Sequence, residues 1–239
     1  MNPRPNAATT VVDLGLMDYT QAWDYQARLF QSILDIKKIN RDLPAPEQVQ
    51  TPNYILLCEH PPVITLGKSG DSNNLLVTPE ELSARGATYV PTNRGGDITF
   101  HGPGQLVVYP VIDLENFFTD ISRYMRSLEE AVIRTLGLYG IHAGRVAGLT
   151  GVWLTDGVPR KICALGVKSS RWVTMHGLAL NVNVDLAFFD LIVPCGINDK
   201  AVTSMKQETG TTYTLDDVKR KLTQELMSVF GMKRTVEAL

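Results

Sequence analysis

The sequence predicts one α+β domain in which a mixed or antiparallel β-sheet packs against helices. Three amphipathic segments alternate with two groups of short, apolar and β-branched segments that end in turn residues. No internal repeat, low-complexity tract or linker divides the 239 residues. We therefore expect a single domain over residues 1–239.

Helical periodicity marks three long elements. Apolar residues recur at intervals of three and four over residues 19–37, 121–136 and 215–230. The second helix should end near the glycines at 137 and 140. The third should stop at Gly231, so that residues 214–231 form a C-terminal helix region.

Two helix starts carry capping signals. Thr78 precedes Pro79, and a threonine cap with proline in the first turn predicts a further, brief helix. Thr214 and Asp217 have the spacing of a capping box at the start of the C-terminal helix.

Strand signals fall between the helices. Apolar and β-branched runs cover residues 54–60, 63–66, 98–100, 106–114, 151–154, 161–168 and 173–184. Pro61 and Pro62 interrupt the first strand, which we expect to resume after them. The Gly102-Pro103-Gly104 sequence suits a type II turn and predicts a hairpin of the third and fourth runs. Asp156-Gly157 joins the next two runs, and the last three predict a meander.

Composition excludes several classes of function. The formal net charge is −2, so neither nucleic acid nor an anionic membrane surface is expected as the main partner. The longest apolar runs are far shorter than the ~20 residues that span a bilayer. The N-terminal residues lack the apolar core of a signal peptide, and we expect a cytoplasmic protein.

Three cysteines at wide spacing indicate free thiols in a reducing compartment. Cys58 and Cys163 fall inside predicted strands, where a buried, structural thiol is expected. Cys195 instead lies between Pro194 and Gly196, where neither a helix nor a central strand can continue. This thiol is the candidate nucleophile, and a small buried residue is the alternative.

A nucleophilic thiol needs a base or a cation close by, because few thiols are ionised near neutral pH. His101 and His176 occur beside glycines and could serve. Lys161 starts a predicted strand and should be partly desolvated at a sheet edge, where it could shuttle protons. A solvated strand end is the alternative for this lysine.

Four sequence blocks favour the lysine. The most distinctive block is RGGDITFHGPGQLVVYP, at residues 94–110. The other three blocks are residues 59–67 before it, and residues 161–166 with 176–181 and residues 194–197 after it. Together they resemble the lipoyl(octanoyl) transferases, which share the catalytic fold of lipoate and biotin protein ligases. The resemblance extends from about residue 18 to residue 204, with an insertion near residues 40–52.

The resemblance implies transfer of an octanoyl group from octanoyl-acyl carrier protein to a lysine of the lipoyl domain of lipoate-dependent proteins. Cys195 would carry the acyl group as a thioester, and Lys161 would be its partner. Lys168 falls where the family does not require a lysine. No metal or resident cofactor is implied, because the phosphopantetheine arrives on the acyl carrier protein.

The same resemblance implies an acyl and thioester pocket lined by two glycine-containing strands and the signature loop. Its residues would be Arg94, Gly95, Gly96, Asp97, Ile98, Thr99, Phe100, His101, Ala164, Leu165, Gly166, Gly177, Leu178 and Ala179. For Arg94 and His101, a direct role and a structural role both remain open.

Three other functions remain open. An ATP-dependent lipoate or biotin ligase of the same fold would need no cysteine nucleophile. A hydrolase would pair Cys195 with His101 or His176 and release free octanoate. A non-catalytic acyl or carrier-protein binding module would tolerate loss of Lys161. An acidic carrier could dock on Lys168, Arg171 and Lys200, for which a solvated basic face is the alternative.

Overall fold

The strands in the described part of this chain form two sheets. The computed structural model describes residues 5–193 and 201–235. Its strands are β1 Ala8–Leu16, β2 Tyr54–Glu59, β3 Val63–Leu66, β4 Thr88–Pro91, β5 Ile98–His101, β6 Gln105–Val111, β7 Val152–Leu154, β8 Arg160–Ser170, β9 Val173–Asn181, β10 Ala201–Val202 and β11 Lys233–Arg234. Its α-helices are α1 Tyr19–Asn40, α2 Pro79–Ala84, α3 Ile121–Gly137, α4 Met205–Thr209 and α5 Leu215–Phe230.

The larger sheet is mixed. Its strand order is β10-β8-β9-β6-β2-β1-β11, and β7 also pairs with β8. The central strands β2, β6, β9 and β8 are antiparallel neighbours, whereas β1 runs parallel to β2 and to β11. A smaller sheet has the order β4-β3-β5. The predicted class, a mixed sheet packed with helices, is confirmed.

Helices cover both faces of the larger sheet, which explains why all nine residues of β9 are buried. On one face, α3 and α5 contribute Leu128, Val132 and Leu222 to a core that includes Leu178 of β9. On the other face, α1 packs its apolar side against β2, β6 and β9. The start of α1 therefore lies over the centre of the sheet.

The predicted hairpin at Gly102-Pro103-Gly104 is wrong, although its turn is present. The Gln105 amide donates to the Gly102 carbonyl at 3.1 Å, and Gly104 has a φ of 84°. The strands on either side then diverge. β5 pairs with β3 in the smaller sheet, whereas β6 pairs with β2 and β9 in the larger one. The turn is thus a passage between two sheets.

The two prolines after β2 have the same effect. We expected residues 63–66 to resume the first strand, but β3 belongs to the smaller sheet. Because neither Pro61 nor Pro62 has an N–H to donate, the ladder of β2 cannot continue through them. The chain leaves the larger sheet at this point.

The predicted helices are confirmed, with one difference in capping. Thr78 and Glu81 form a reciprocal capping box at α2. At α5, the Thr214 side chain makes no capping hydrogen bond. Asp217 instead accepts a hydrogen bond from the Tyr139 hydroxyl at 2.7 Å, so the tertiary contact replaces the local one. The meander of β7, β8 and β9 is confirmed.

No helix in the described part of the chain is both long and apolar enough to cross a membrane.

Candidate active site

A cavity of about 660 Å³ lies between the two sheets and the start of α1. At its inner end the lining residues are buried, among them Tyr19, Val107 and Tyr109. At its mouth they are exposed, among them Thr150 and Ala201. The cavity therefore has an open end and a closed end.

Small residues form the cavity floor. Ala164 of β8 pairs with Ala179 of β9, and Gly166 pairs with Gly177. A side chain at Gly177 is excluded, since a Cβ there would lie 2.1 Å from the Val108 carbonyl oxygen of the neighbouring strand. The floor is consequently smooth enough for an extended ligand to lie along the strands.

Arg94 fixes the loop that covers this floor. Its Nη2 donates to the Thr65 carbonyl at 2.8 Å and to the Thr65 hydroxyl at 2.9 Å. The Gly95 amide donates to the Val167 carbonyl of β8 at 2.9 Å, which joins the loop to the floor. Arg94 is buried, and these hydrogen bonds give it a structural role in the loop.

Asp97 joins this loop to the segment that precedes Cys195. Its Oδ2 accepts a hydrogen bond from the Asn74 side chain at 2.7 Å. The carbonyl of Asn74 in turn accepts the Val193 amide at 2.8 Å. Val193 is the last described residue before Cys195, and the described chain resumes at Ala201. Cys195 itself, like Lys200, lies outside the described residues.

Lys161 lies near the cavity mouth, half-buried, on β8. It pairs with Trp153 of β7 and with Val202 of β10, and its carbonyl accepts the Thr203 amide at 2.9 Å. The lysine therefore lies inside the sheet, and our expectation that it lies at a sheet edge is wrong. Its pairing partner Val202 follows Cys195 by seven positions.

The indole of Trp153 sets the surroundings of the Lys161 amine. The Lys161 Nζ lies 4.7 Å from the centroid of the Trp153 ring. Gly151 packs against the side chains of Trp153 and Lys161. A Cβ at Gly151 would lie 3.3 Å from the Trp153 Nε1 and 3.5 Å from the Lys161 Cε. The buried Glu129 carboxylate accepts the Gly151 amide at 3.0 Å. A chain of contacts thus runs from α3 to the candidate catalytic amine.

His101 has hydrogen-bond partners at both ring nitrogens. Its Nδ1 lies 2.7 Å from the Gln105 Oε1, and its Nε2 lies 3.4 Å from the Thr65 hydroxyl. The Gln105 amide nitrogen donates to Asn181 at 2.9 Å, so the Gln105 oxygen is an acceptor and His101 Nδ1 must be the donor. Burial, followed by the neighbouring His60, lowers the pKa of His101 to about 3. His101 is neutral and its ring is committed to structure.

His176 is strained and partly unsatisfied. Its φ is 58°, in the left-handed region, although it lies within β9. Its Nε2 lies 2.8 Å from the Asn93 Oδ1, and its buried Nδ1 has no hydrogen-bond partner among the described residues. Burial, followed by the positive charges of Arg94 and Lys168, lowers the pKa of His176 to about 3. A neutral histidine with this pKa is a poor general base near pH 7.

Cys58 and Cys163 are buried free thiols in β2 and β8. Burial raises the pKa of Cys58 to about 12, and burial also raises the pKa of Cys163. Neither thiol can supply much thiolate at neutral pH, so both have the structural role that we expected. Within the described ranges, no group of three or more His, Cys, Asp or Glu side chains could hold a metal ion.

A family model for the lipoyl protein ligase A/B catalytic domain matches residues 18–227 of this chain. The chain belongs to this family. Two of its relatives are named octanoyltransferase. The protein from Flavobacterium psychrophilum is 57% identical over 94% of this chain and 97% of its own length. The protein from Cytophaga hutchinsonii is 56% identical over 97% and 96%. This near-complete match identifies the present chain as an acyltransferase.

Solved structures of the family show the same fold. A bipartite lipoate protein ligase from Thermoplasma acidophilum has a TM-score of 0.65 at 16% identity and covers 96% of this chain and 88% of its own. A lipoate-protein ligase A crystallised with ATP has a TM-score of 0.66 at 14% identity and covers 97% and 90%. At these identities the likeness establishes the fold alone.

Most pocket residues that the resemblance implied line one cavity in this transferase. They are Arg94, Gly95, Gly96, Asp97, Ile98, Thr99, His101, Ala164, Leu165, Gly166, Gly177, Leu178 and Ala179, and Lys161 lines the same cavity. Phe100 does not, because its ring stacks on Phe188 at 4.5 Å in the core under the smaller sheet. Its strand neighbours face the cavity, and side chains alternate along a strand.

The sequence did not point to Tyr19, Tyr109 or Trp153, which also line the cavity. For Trp153 a signal was available. The turn at Asp156-Gly157 predicts that two strands pair across it, which brings Trp153 to within one position of Lys161, its partner in the structure. Tyr19 and Tyr109 meet only through the tertiary fold, and no local pattern indicates them.

Proposed function

We propose that this chain transfers an octanoyl group from the thioester of acyl carrier protein to a lysine of a lipoyl domain, through a thioester on Cys195. One observation carries the proposal. Lys161 lies at the open mouth of a largely apolar cavity and pairs with the strand that follows the Cys195 segment. The names of the relatives support the octanoyl group as the cargo.

In the first half-reaction, the Cys195 thiolate attacks the carbonyl carbon of the bound thioester. A new carbon–sulfur bond forms, and the bond to the phosphopantetheine sulfur breaks. The departing thiolate takes a proton from the Lys161 ammonium. Before this step, the ammonium favours the ionised thiol through its charge.

In the second half-reaction, the neutral Lys161 amine acts as the base. The acceptor lysine attacks the acyl-enzyme carbonyl and gives a proton to Lys161, and the bond to Cys195 breaks. The products are an octanoyl amide, the Cys195 thiolate and the Lys161 ammonium, which restores the starting state. No ATP is needed, because a thioester is converted to a more stable amide.

The proposal includes the partners and the setting. Acyl carrier protein is the donor, lipoyl domains of lipoate-dependent complexes are acceptors, and no resident cofactor takes part. A related solved structure is described together with its E2 lipoyl domain, which is consistent with that acceptor. Lys168 and Arg171 are candidate docking cations for an acidic carrier, and the cytoplasm is the proposed location.

Mass spectrometry of the acceptor tests the proposal. Purified enzyme is incubated with octanoyl-acyl carrier protein and a lipoyl domain, without ATP. We expect the mass of one octanoyl group on the domain, and no change on a domain whose target lysine is replaced by arginine. Amide formation only from free octanoate plus ATP would indicate a ligase instead. Release of octanoate without amide formation would indicate a hydrolase.

A further inference from the structure

Aromatic rings close the inner end of the cavity. Tyr19, His101 and Tyr109 line this end, and His60 lies directly behind them. We call these four residues the ring wall. All four are buried, with at most 6% of their surface exposed. The ring wall therefore separates the cavity from the protein core.

Hydrogen bonds hold Tyr109 and His60 in place. The His60 Nδ1 lies 2.7 Å from the Met17 carbonyl oxygen, so this nitrogen carries the proton and donates. The Tyr109 hydroxyl then donates to the His60 Nε2 at 2.6 Å. Burial lowers the pKa of His60, which keeps the ring neutral and suited to accept this bond. Tyr109 is fixed through its far end.

Stacking holds the other side of the ring wall. The rings of Tyr19 and His101 are nearly parallel, with centroids 5.7 Å apart and an interplanar angle of 10°. His60 packs in an edge-to-face arrangement with both rings, and its ring centroid lies 5.2 Å from that of Tyr19 and 5.9 Å from that of His101. A ligand that pushed on one ring would have to displace its neighbours as well.

The cavity length fits a medium-length chain. Gly166 follows Lys161 by five positions on β8, which is roughly 17 Å along the strand. Gly166 pairs with Gly177, whose backbone touches Val108, the residue before Tyr109. An extended eight-carbon chain has seven carbon–carbon bonds, each of which advances about 1.3 Å along the zigzag, and so spans roughly 9 Å. Such a chain and its thioester fit between Lys161 and the ring wall.

We propose that Tyr19 and Tyr109 set the upper limit of acyl-chain length in this transferase by closing the inner end of the cavity. The proposal rests on the proposed function, because it assumes that an acyl group binds in this cavity. The methyl end of the chain enters first and lies toward the ring wall, and the carbonyl stays near the mouth. Val107, Ala179 and the paired glycines form the floor along which the methylenes lie. The closed end then excludes chains that extend beyond it.

A competition between acyl chains tests the proposal. The enzyme receives an equimolar mixture of hexanoyl, octanoyl, decanoyl and dodecanoyl thioesters of acyl carrier protein, with a lipoyl domain as acceptor. Mass spectrometry of the domain gives the ratio of amide products. Tyr19→Leu and Tyr109→Leu keep an apolar side chain but shorten it, so each should still fold, which circular dichroism checks.

We expect either variant to raise the ratio of dodecanoyl to octanoyl product by about tenfold or more, since room for a few methylenes is worth that much discrimination. Tyr124→Leu is the matched control. Tyr124 is fully buried in the other core, away from the cavity, so its loss should lower stability and leave the ratio unchanged.

Two failures are distinguishable. If folded Tyr19→Leu and Tyr109→Leu both keep the wild-type ratio, the ring wall does not limit chain length and the inference is overturned. If the wild type transfers none of the four chains, the proposed function itself fails. A shifted ratio in Tyr124→Leu equal to that of the cavity variants would also overturn the inference.

Discussion

The Lys161 Nζ lies 4.7 Å from the centre of the Trp153 ring, on the neighbouring strand. Trp153 is itself fixed, because its amide and carbonyl both bond to Gly144 at 2.9 and 2.7 Å. A cation over the face of an indole is attracted to it. We infer that Trp153 is a positioning residue that defines where the Lys161 ammonium lies.

Trp153→Leu should lower the rate constant of enzyme acylation by roughly 3- to 30-fold, the worth of a partly to fully desolvated cation–π contact. Trp153→Phe keeps a ring face and should recover most of the loss. The measurement is rapid-quench acylation by octanoyl-acyl carrier protein. Phe118→Leu is the control, since it removes a ring that carries Arg123 at 4.2 Å, away from the cavity. Equal rates in the two Trp153 variants would contradict this role.

Lys161→Ala should lower kcat/KM for amide formation by roughly 10²- to 10⁴-fold, the usual effect of removing a general acid–base group. Lys161→Arg should not restore activity, because a guanidinium does not release its proton near neutral pH. Lys221→Ala is the matched control, because the Lys221 Nζ also lies over an aromatic ring, 3.9 Å from the centroid of Tyr139. Near-normal turnover of Lys161→Ala would remove the lysine from the mechanism.

Gly177→Ala should destabilise the fold by roughly 1–3 kcal/mol, because the new methyl group meets a backbone oxygen that a rotamer change cannot move. Urea unfolding provides the free energy. Gly137→Ala is the comparison, as no atom lies within 4 Å of its Cβ position, and we expect little change or a small gain. A stable Gly177→Ala protein would show that β6 and β9 are not held this close.

Histidine burial predicts a loss of stability in acid. The folded-state pKa of His176 is about 3, below the unfolded value near 6.5, so the unfolded chain binds the extra proton between these pH values. Unfolding free energy should therefore fall as the pH drops below about 6.5. His176→Gln should reduce this slope by up to about 1.4 kcal/mol per pH unit. His142→Gln is the control, because His142 is exposed. If the dependence of unfolding free energy on pH were unchanged in His176→Gln, a buried neutral ring at position 176 would be contradicted.

Local patterns in the sequence predicted α1, α2, α3, α5 and most central strands, but not the short α4, because apolar periodicity and capping residues mark the longer elements. They did not predict β1, whose residues are mostly half-buried and which is held by its neighbours β2 and β11. They also assigned the turn at Gly102-Pro103-Gly104 correctly but not its outcome. Turn chemistry fixes the local backbone, whereas the choice of sheet depends on partners distant in sequence.

The candidate site shows the same division. The resemblance supplied Lys161, Arg94 and the glycines of the floor. Of the ring wall it supplied only His101, because Tyr19, His60 and Tyr109 come from separate elements and meet only through hydrogen bonds and stacking in the folded chain. Residues whose role is to bound a cavity leave no spacing signal of their own.

Intact-mass analysis of the enzyme after brief exposure to octanoyl-acyl carrier protein, without an acceptor, tests the central claim most directly. We predict the added mass of one octanoyl group on the wild type, its loss on treatment with hydroxylamine, and no addition to Cys195→Ala. An equal mass gain in Cys195→Ala, or amide formation by that variant at the wild-type rate, would contradict the covalent mechanism.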